Sequence, residues 1–391
     1  MKVVIIAPGS LPIPAKEGGA VETLIDVILS YLKKSEHEAY VFSGSINIKH
    51  DISFSDGNIH YFQKKQIVLS SMGLKRVLNR INPNYMYESY LRYIVRELSC
   101  IEYDCILVEN RPLFIDYLYK HTSKPIYLHM HNDPIPGYRG LLPRIDIHCK
   151  KIITVSKYIE NCILRDYPSA NTCVVHNGVS EIEFQKERDP ERSSIIRDRY
   201  NLRQDEIVIC FTGRLLPQKG VLELIKAYSN LKTNLNIVLL IIGATWFGSN
   251  TTDKYTEEVK LAASVCKNRI SFTGYIDHHE VSEVESIANI AVMPSIWEEP
   301  FALSILEAMS SGLAVITTTS GGTPEMFDEG SGILIDRDDK LVDNLTNALS
   351  ILINNEGMRN DMGRNARARI ENIFNQDNFY NHIIRVLTGD C

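Results

Sequence analysis

Two glutamates eight positions apart, Glu299 and Glu307, lie in the stretch from Ser295 to Gly322. Glu299 belongs to a Trp-Glu-Glu-Pro-Phe turn. Glu307 sits among Leu303, Ile305, Leu306, Ala308 and Met309, a pattern that predicts a helix over 302–311 ended by Gly312. An ionised carboxylate in such apolar company needs a polar partner. Pro300 fixes the backbone where the helix begins, which leaves the amides of Phe301, Ala302 and Leu303 to point at an anion. Two acceptors for hydroxyls beside an anion site suit a sugar joined to a phosphate. For an isolated pair of glutamates, a solvated helix face and an ordinary turn acid are the commoner explanation.

Cations stand upstream. Thr212-Gly-Arg-Leu-Leu-Pro-Gln-Lys-Gly220 follows an apolar run that reads as a strand. In it Arg214 can meet a diphosphate by paired hydrogen bonds and Lys219 as a point charge. Gly18-Gly19, between a proline-rich loop and a predicted helix, would let a phosphate approach the backbone. No Gly-x-Gly-x-x-Gly follows the first strand, so a nicotinamide site is not indicated. His131 ends the run Pro125-Ile-Tyr-Leu-His-Met-His131, and His129, two residues earlier on the same face, competes with it. The triplet Asp336-Arg-Asp338 has the look of a metal site, but Asp338 reads as a helix cap. No metal and no cofactor is expected.

The elements that must position these residues alternate. Strands are predicted at 3–7, 39–43, 58–62, 105–109, 125–131, 151–155 and 173–176, with helices at 21–32, 86–99, 112–121 and 157–167. The alternation restarts with strands at 207–212, 237–243, 270–274, 290–294, 314–318 and 332–335, and helices at 219–231, 254–266 and 302–311. Three helical segments, 338–354, 355–372 and 376–388, close the chain. Such a pattern implies an α/β protein with two doubly wound, Rossmann-like domains of parallel sheet facing across a cleft. The expected division is 1–180 and 205–372, with 373–391 as a C-terminal helix and the polar stretch Glu181 to Gln204 between the halves.

At 391 residues the chain exceeds what one core organises. A net charge of −6 offers no basic field to nucleic acid. The N-terminal apolar run is too short for a signal core, and nothing reaches the length of a transmembrane helix. The eight cysteines form no Cys-x-x-Cys pair and read as thiols of a reducing compartment, so a cytoplasmic location is expected, at the inner face of a membrane if segment 64–96 binds lipid. That segment carries Lys64, Lys65, Lys75, Arg76, Arg80, Arg92 and Arg96 against Glu88 alone, with tyrosines between. A solvated face is the default explanation, and peripheral contact with anionic lipid the alternative.

The Glu-x7-Glu spacing, the Arg214/Lys219 pair and the Gly18-Gly19 loop resemble the retaining glycosyltransferases of family 4, over nearly the whole chain. That resemblance implies a GT-B fold, in which the N-terminal domain takes the acceptor and the second domain a nucleotide sugar. It implies transfer of a sugar, of hexosyl type, from a nucleoside-diphosphate sugar (UDP or GDP) to a hydroxyl of a saccharide or lipid-linked acceptor, in bacterial surface polysaccharide or glycolipid synthesis. By the same resemblance, Glu307 holds the ribose, Glu299 the donor sugar, Arg214 and Lys219 the diphosphate with Gly18, Gly19 and residues 301–303. His131 lies by the reacting carbon, and Gly274, Tyr275 and Ile276 touch the base. The alternatives are a nucleotide-sugar epimerase of similar fold and a degenerate homologue kept as a structural component.

Overall fold

The computed structural model describes residues 1–15, 19–45, 47, 49–66, 84–133, 140–184, 189–244 and 253–389. It forms two compact units: Met1–His176 together with Phe379–Cys391, and Asn177–Asn378.

Unit 1 is built on eight strands: β1 (Lys2–Ile6), β2 (Glu38–Ser45), β3 (Ile52–Asp56), β4 (Ile59–Lys65), β5 (Cys105–Glu109), β6 (Ile126–Met130), β7 (Lys151–Thr154) and β8 (Thr172–Val174). They lie in the order β3-β4-β2-β1-β5-β6-β7-β8. The central strands Lys-Val-Val-Ile-Ile, Cys-Ile-Leu-Val-Glu and Ile-Tyr-Leu-His-Met are apolar apart from Lys2, Glu109 and His129, because both faces of a parallel sheet are covered. The expectation of an all-parallel sheet fails at one edge. β3 pairs antiparallel with β4 through a tight turn at Gly57, whose φ is +62°. Its sequence, Ile-Ser-Phe-Ser-Asp, is mostly exposed and gave no apolar run to read. The short helix Leu142–His148 also went unanticipated.

Unit 2 carries β9 (Ile207–Thr212), β10 (Ile237–Ile242), β11 (Arg269–Gly274), β12 (Ile290–Met293), β13 (Ala314–Thr318) and β14 (Ile333–Ile335), all parallel, in the order β11-β10-β9-β12-β13-β14. Its core joins Ile209, Leu239, Val292 and Ile316 from the sheet to Leu224, Tyr228, Leu345 and Leu349 from two helices. The polar stretch 181–204 is part of this unit rather than a spacer, so the unit begins at Asn177 and not at 205. Within it Asp189 caps a helix, Pro190–Arg199, by accepting the Glu191 amide at 2.9 Å. Arg192 then pairs with Glu283, and Arg197 donates to the Ile287 carbonyl at 3.3 Å. Only Ile196 of that helix is buried, so it shows almost no apolar period. The helix His278–Ser286 was likewise not expected.

The closing helix, Gln376–Thr388, counts with unit 1 from Phe379 onward. There Tyr380 stacks on Tyr31 at 4.8 Å, and the Tyr127 hydroxyl donates to the Leu387 carbonyl at 3.1 Å. Among the described residues no helix is long and apolar enough to cross a membrane. Cys105, Cys149, Cys162 and Cys210 are buried, whereas Cys100 is exposed.

Candidate functional site

In unit 2 the strand order reverses between β9 and β12, and open α/β sheets bind ligands at the carboxyl ends of such strands. Lys219 and Glu299 stand on the loops that leave those two strands. β9 is followed by a 3₁₀ turn, Pro217–Lys219, and then by Gly220 at φ +71°, where an added Cβ would lie 2.1 Å from the Pro294 carbonyl oxygen. The loop after β12 can therefore press against the backbone of the loop after β9, and the Ile296 amide donates to the Gln218 carbonyl at 2.9 Å.

That contact brings Lys219 Nζ to 2.5 Å from Glu299 Oε1. The same oxygen accepts the Ser295 hydroxyl at 2.5 Å. Glu299 is only 4% exposed, so these two partners offset the cost of burying its charge. The Lys219 ammonium also lies 5.8 Å from the centre of the Trp297 ring. A third loop fixes the glutamate's backbone: the Gly322 amide donates to the Glu299 carbonyl at 2.8 Å. Gly321, at φ +51°, would put a Cβ 2.1 Å from that carbonyl oxygen, so no side chain fits there.

Glu307 is held by the helix Leu303–Ser310, where it is buried. Its Oε1 lies 2.8 Å from Nε2 of His278. The Glu307 carboxylate raises the His278 pKa from 6.5 to about 9, first by the hydrogen bond and then by its charge. Behind this pair Glu285 is fully buried, accepting the Thr212 hydroxyl at 2.7 Å and the Ser311 hydroxyl at 3.3 Å. Burial, with the charge of Glu307 second, raises its pKa to about 8. Ala302 is the N-cap of the Leu303–Ser310 helix, and no side chain caps it.

The other expected residues of this unit lie on separate loops. Arg214 is exposed on the loop after β9. Gly274, at φ +69°, ends the edge strand β11, which β10 separates from β9, and Tyr275 and Ile276 follow it half-buried. Asp336 accepts the Thr319 hydroxyl at 2.9 Å. Asp338 accepts the Lys340 amide at 2.9 Å, but the helix starts at Leu341 with Lys340 as its N-cap, so Asp338 braces the approach to the helix instead of capping it.

Unit 1 has its own reversal, between β1 and β5. Gly18 lies outside the described residues. Gly19, at φ +111°, precedes the helix Ala20–Lys33, and an added Cβ would meet Glu22 Oε2 at 2.3 Å. Burial raises the Glu22 pKa to about 7. At the end of β5, Glu109 is 1% exposed and faces two imidazoles, with Oε2 at 2.7 Å from His131 Nε2 and 3.0 Å from His129 Nδ1. The two histidines overcome desolvation and hold the Glu109 pKa at about 2, His129 first. Burial, then the charge of His129, lowers that of His131 to about 4. One ligand atom each from Glu109, His129 and His131 falls within 4.8 Å of the others, close enough for a metal ion to be a competing use of the cluster. Of the basic segment, residues 67–83 lie outside the described ones. Lys64 pairs with Asp51 at 2.7 Å, Arg92 with Glu88 at 2.9 Å and Arg96 with Glu97 at 2.5 Å.

Ser295, His278, Glu285 and Glu109 were not anticipated. Glu109 had a readable signal, a charge ending an apolar strand before Asn-Arg-Pro. His278 and Glu285 sit on a helix whose pattern is mostly polar, and nothing in it points to Glu307.

Residues 193–369 match the family described as "Glycosyl transferases group 1". The chain is 28% identical over 386 residues to the putative glycosyltransferase YtcC of Bacillus subtilis (strain 168), covering 96% of this chain and 88% of the relative. It is 26% identical over 391 residues to spore coat protein SA of the same organism, covering 96% of each. Its fold matches the crystal structure of Anabaena Alr3699/HepE in complex with UDP-glucose at a TM-score of 0.74 and 18% identity, covering 99% of both chains. The fold is GT-B, made of two Rossmann-like domains.

Proposed function

From this support for a group 1 glycosyltransferase, we propose that the chain is a retaining enzyme that moves a hexosyl-type sugar from a nucleoside-diphosphate sugar to an acceptor hydroxyl. The observation that carries the reading is the Lys219–Glu299 pair at the carboxyl ends of β9 and β12, 2.5 Å apart. A diphosphate would take Lys219 and Arg214 as its counter-charges, with Gly18, Gly19 and the start of the Leu303–Ser310 helix assisting. Glu299 would then accept hydroxyls of the donor sugar and Glu307 those of the ribose. Gly274, Tyr275 and Ile276 would line the base.

Cations beside a departing diphosphate stabilise the charge that grows on it. No metal is required at that diphosphate, because Arg214 and Lys219 supply the positive charge. Retention follows if the acceptor attacks the face that the leaving group vacates. A phosphate oxygen then takes the acceptor's proton, while His131 lies by the reacting carbon. The first unit takes the acceptor, a saccharide or a lipid-linked glycan of a bacterial surface polymer. The chain works in the cytoplasm, and segment 64–96 brings it to anionic lipid at the inner membrane face. The ion pairs on Lys64, Arg92 and Arg96 weaken that lipid contact, and liposome sedimentation at low salt tests it.

Calorimetry with UDP, GDP and ADP is the deciding experiment. HepE was crystallised with UDP-glucose, which makes UDP the first nucleotide to try. Micromolar binding of one nucleotide, weakened in Lys219→Ala, supports the reading, and no binding of any overturns it. A second reading, a structural component without turnover, draws on the likeness to spore coat protein SA. It predicts nucleotide binding without transfer to any glycan acceptor.

A further inference from the structure

The cluster at the ends of β5 and β6 contains more than the histidine assigned to the sugar. Glu109 pairs with His129 in the sheet register, and His131 follows one residue past β6, so backbone pairing itself sets one carboxylate against two imidazoles. An ionised carboxylate only accepts hydrogen bonds. Its Oε2 lies 2.7 Å from His131 Nε2, so that nitrogen must carry the proton. The His131 backbone is pinned as well, its amide donating to Asn110 Oδ1 at 3.2 Å, and Asn110 holds a left-handed φ of +54°. His129 is fully buried and stands 3.0 Å from the same Oε2 without the alignment of a hydrogen bond. It crowds the same oxygen that His131 meets, and the Phe379 ring lies 6.4 Å from its own.

A shared metal ion is the competing use of these three side chains. Two donors on one tetrahedral zinc, at about 2.0–2.1 Å each, stand roughly 3.3 Å apart. The 2.7 Å between Glu109 and His131 is the length of a charge-assisted hydrogen bond. His129 Nε2 also has no hydrogen-bond partner among the described residues, whereas a ligating histidine ordinarily donates its other N–H.

We infer that Glu109, backed by His129, is a positioning residue that locks His131 in the tautomer with its proton on Nε2 and its lone pair on Nδ1. The inference rests on the reading that puts His131 beside the donor sugar, and it adds a direction: the imidazole accepts a hydrogen bond from a substrate hydroxyl and does not donate one. The groups that set its charge are Glu109 on β5 and His129 on β6.

The test is ¹⁵N NMR of histidine-labelled full-length protein, with the His131 signals identified by their loss in His131→Gln. At pH 7 the expected result is a protonated Nε2 and an unprotonated Nδ1. Glu109→Gln keeps the shape and removes the charge. It should lower kcat by about 10- to 100-fold, the rate equivalent of one charge-assisted hydrogen bond. The KM for donor should hold within about 2-fold, and the acid limb of the kcat–pH profile should move. A proton on Nδ1, or a cationic ring at pH 7, overturns the inference. So does one Zn²⁺ bound per wild-type chain and lost in Glu109→Gln. Should the tautomer be as stated while His131→Gln transfers sugar at the wild-type rate, the tautomer stands and the placement of His131 beside the sugar fails. The wild-type spectrum decides the tautomer even if Glu109→Gln does not fold.

Discussion

The two units meet the same problem, charge buried at the carboxyl end of a parallel sheet, with opposite stoichiometry. In unit 1 one acid, Glu109, stands between two imidazoles; in unit 2 one imidazole, His278, serves two acids, Glu307 and Glu285. Where imidazoles outnumber the acid, its pKa falls to about 2. Where acids outnumber the imidazole, one of them is raised to about 8 and stays protonated at neutral pH. Burial costs both carboxylates the same kind of desolvation, and the neighbours decide the sign. What a fold does with a buried glutamate thus depends on which loops the strand order brings beside it.

The largest expected effect is on Glu109. Glu109→Ala takes the acceptor from the buried His131 ring and the charge from beside His129, and should destabilise unit 1 by about 3–5 kcal/mol, read by urea unfolding. A loss below about 1 kcal/mol would mean that the cluster is not held by its charge.

Lys219→Ala comes next. It leaves Glu299 paired only with Ser295 and removes the cation facing the proposed diphosphate, so turnover should fall about 10²–10³-fold and donor binding should weaken. Glu299→Gln should lower turnover with less effect on nucleotide affinity. Steady-state transfer assays with wild-type rates in both variants would dissolve the site.

The pH responses should run in opposite directions. Glu109, with a pKa below its ordinary 4.5, stabilises unit 1 fully above about that pH, and the stabilisation is lost as the pH falls toward 2. His131, held down at about 4, takes up its proton more readily when unfolded and so weakens the unit further as the pH drops from 6.5 to 4. In unit 2 the unfolded Glu285 ionises from about 4.5 while the folded one resists until about 8, so stability falls across that window. The His278 contribution, full below 6.5, is lost as the pH rises to about 9. Trp297 belongs to unit 2 and lies 5.8 Å from the Lys219 ammonium, so its fluorescence follows the unfolding of that unit while circular dichroism follows both units. Above pH 7, where the buried Glu22 and half-buried Asp26 of unit 1 have already ionised, unit 2 should go on weakening to pH 9 by on the order of 2 kcal/mol and unit 1 should not. Parallel titration of the two signals would erase the contrast.

Smaller changes sharpen the geometry. Gly321→Ala combines a left-handed φ with a contact on the Glu299 carbonyl and should cost about 1–3 kcal/mol, with a loss of donor affinity in calorimetry. His278→Ala removes an ion pair whose histidine side chain is 45% exposed, so its effect on stability should stay below about 1 kcal/mol. Its clearer signature is a flattened alkaline limb in the unfolding profile of unit 2.

The chain's own pattern carried a good deal of this. The apolar runs marked thirteen of the fourteen strands, and β3 escaped because its exposed edge position imposes no apolar face. The helices Pro190–Arg199 and His278–Ser286 escaped for a related reason: each buries few residues, so neither needs the 3.6-residue period. The apolar flanks of Glu307 marked a buried acid that demands a partner, whereas Glu299 and Lys219 stood out only through the Pro-Phe turn and the resemblance to family 4, since spacing alone favoured solvated side chains. Which partner each finds could not be read. Ser295 and Lys219 reach Glu299 from four and eighty residues away, and His278 and Glu307 meet across twenty-nine. Residue identity and periodicity act along the chain and fix what each segment can be. The pairing of charges acts through space, so it waits for the strand order β11-β10-β9-β12-β13-β14 to set the loops after β9 and β12 side by side.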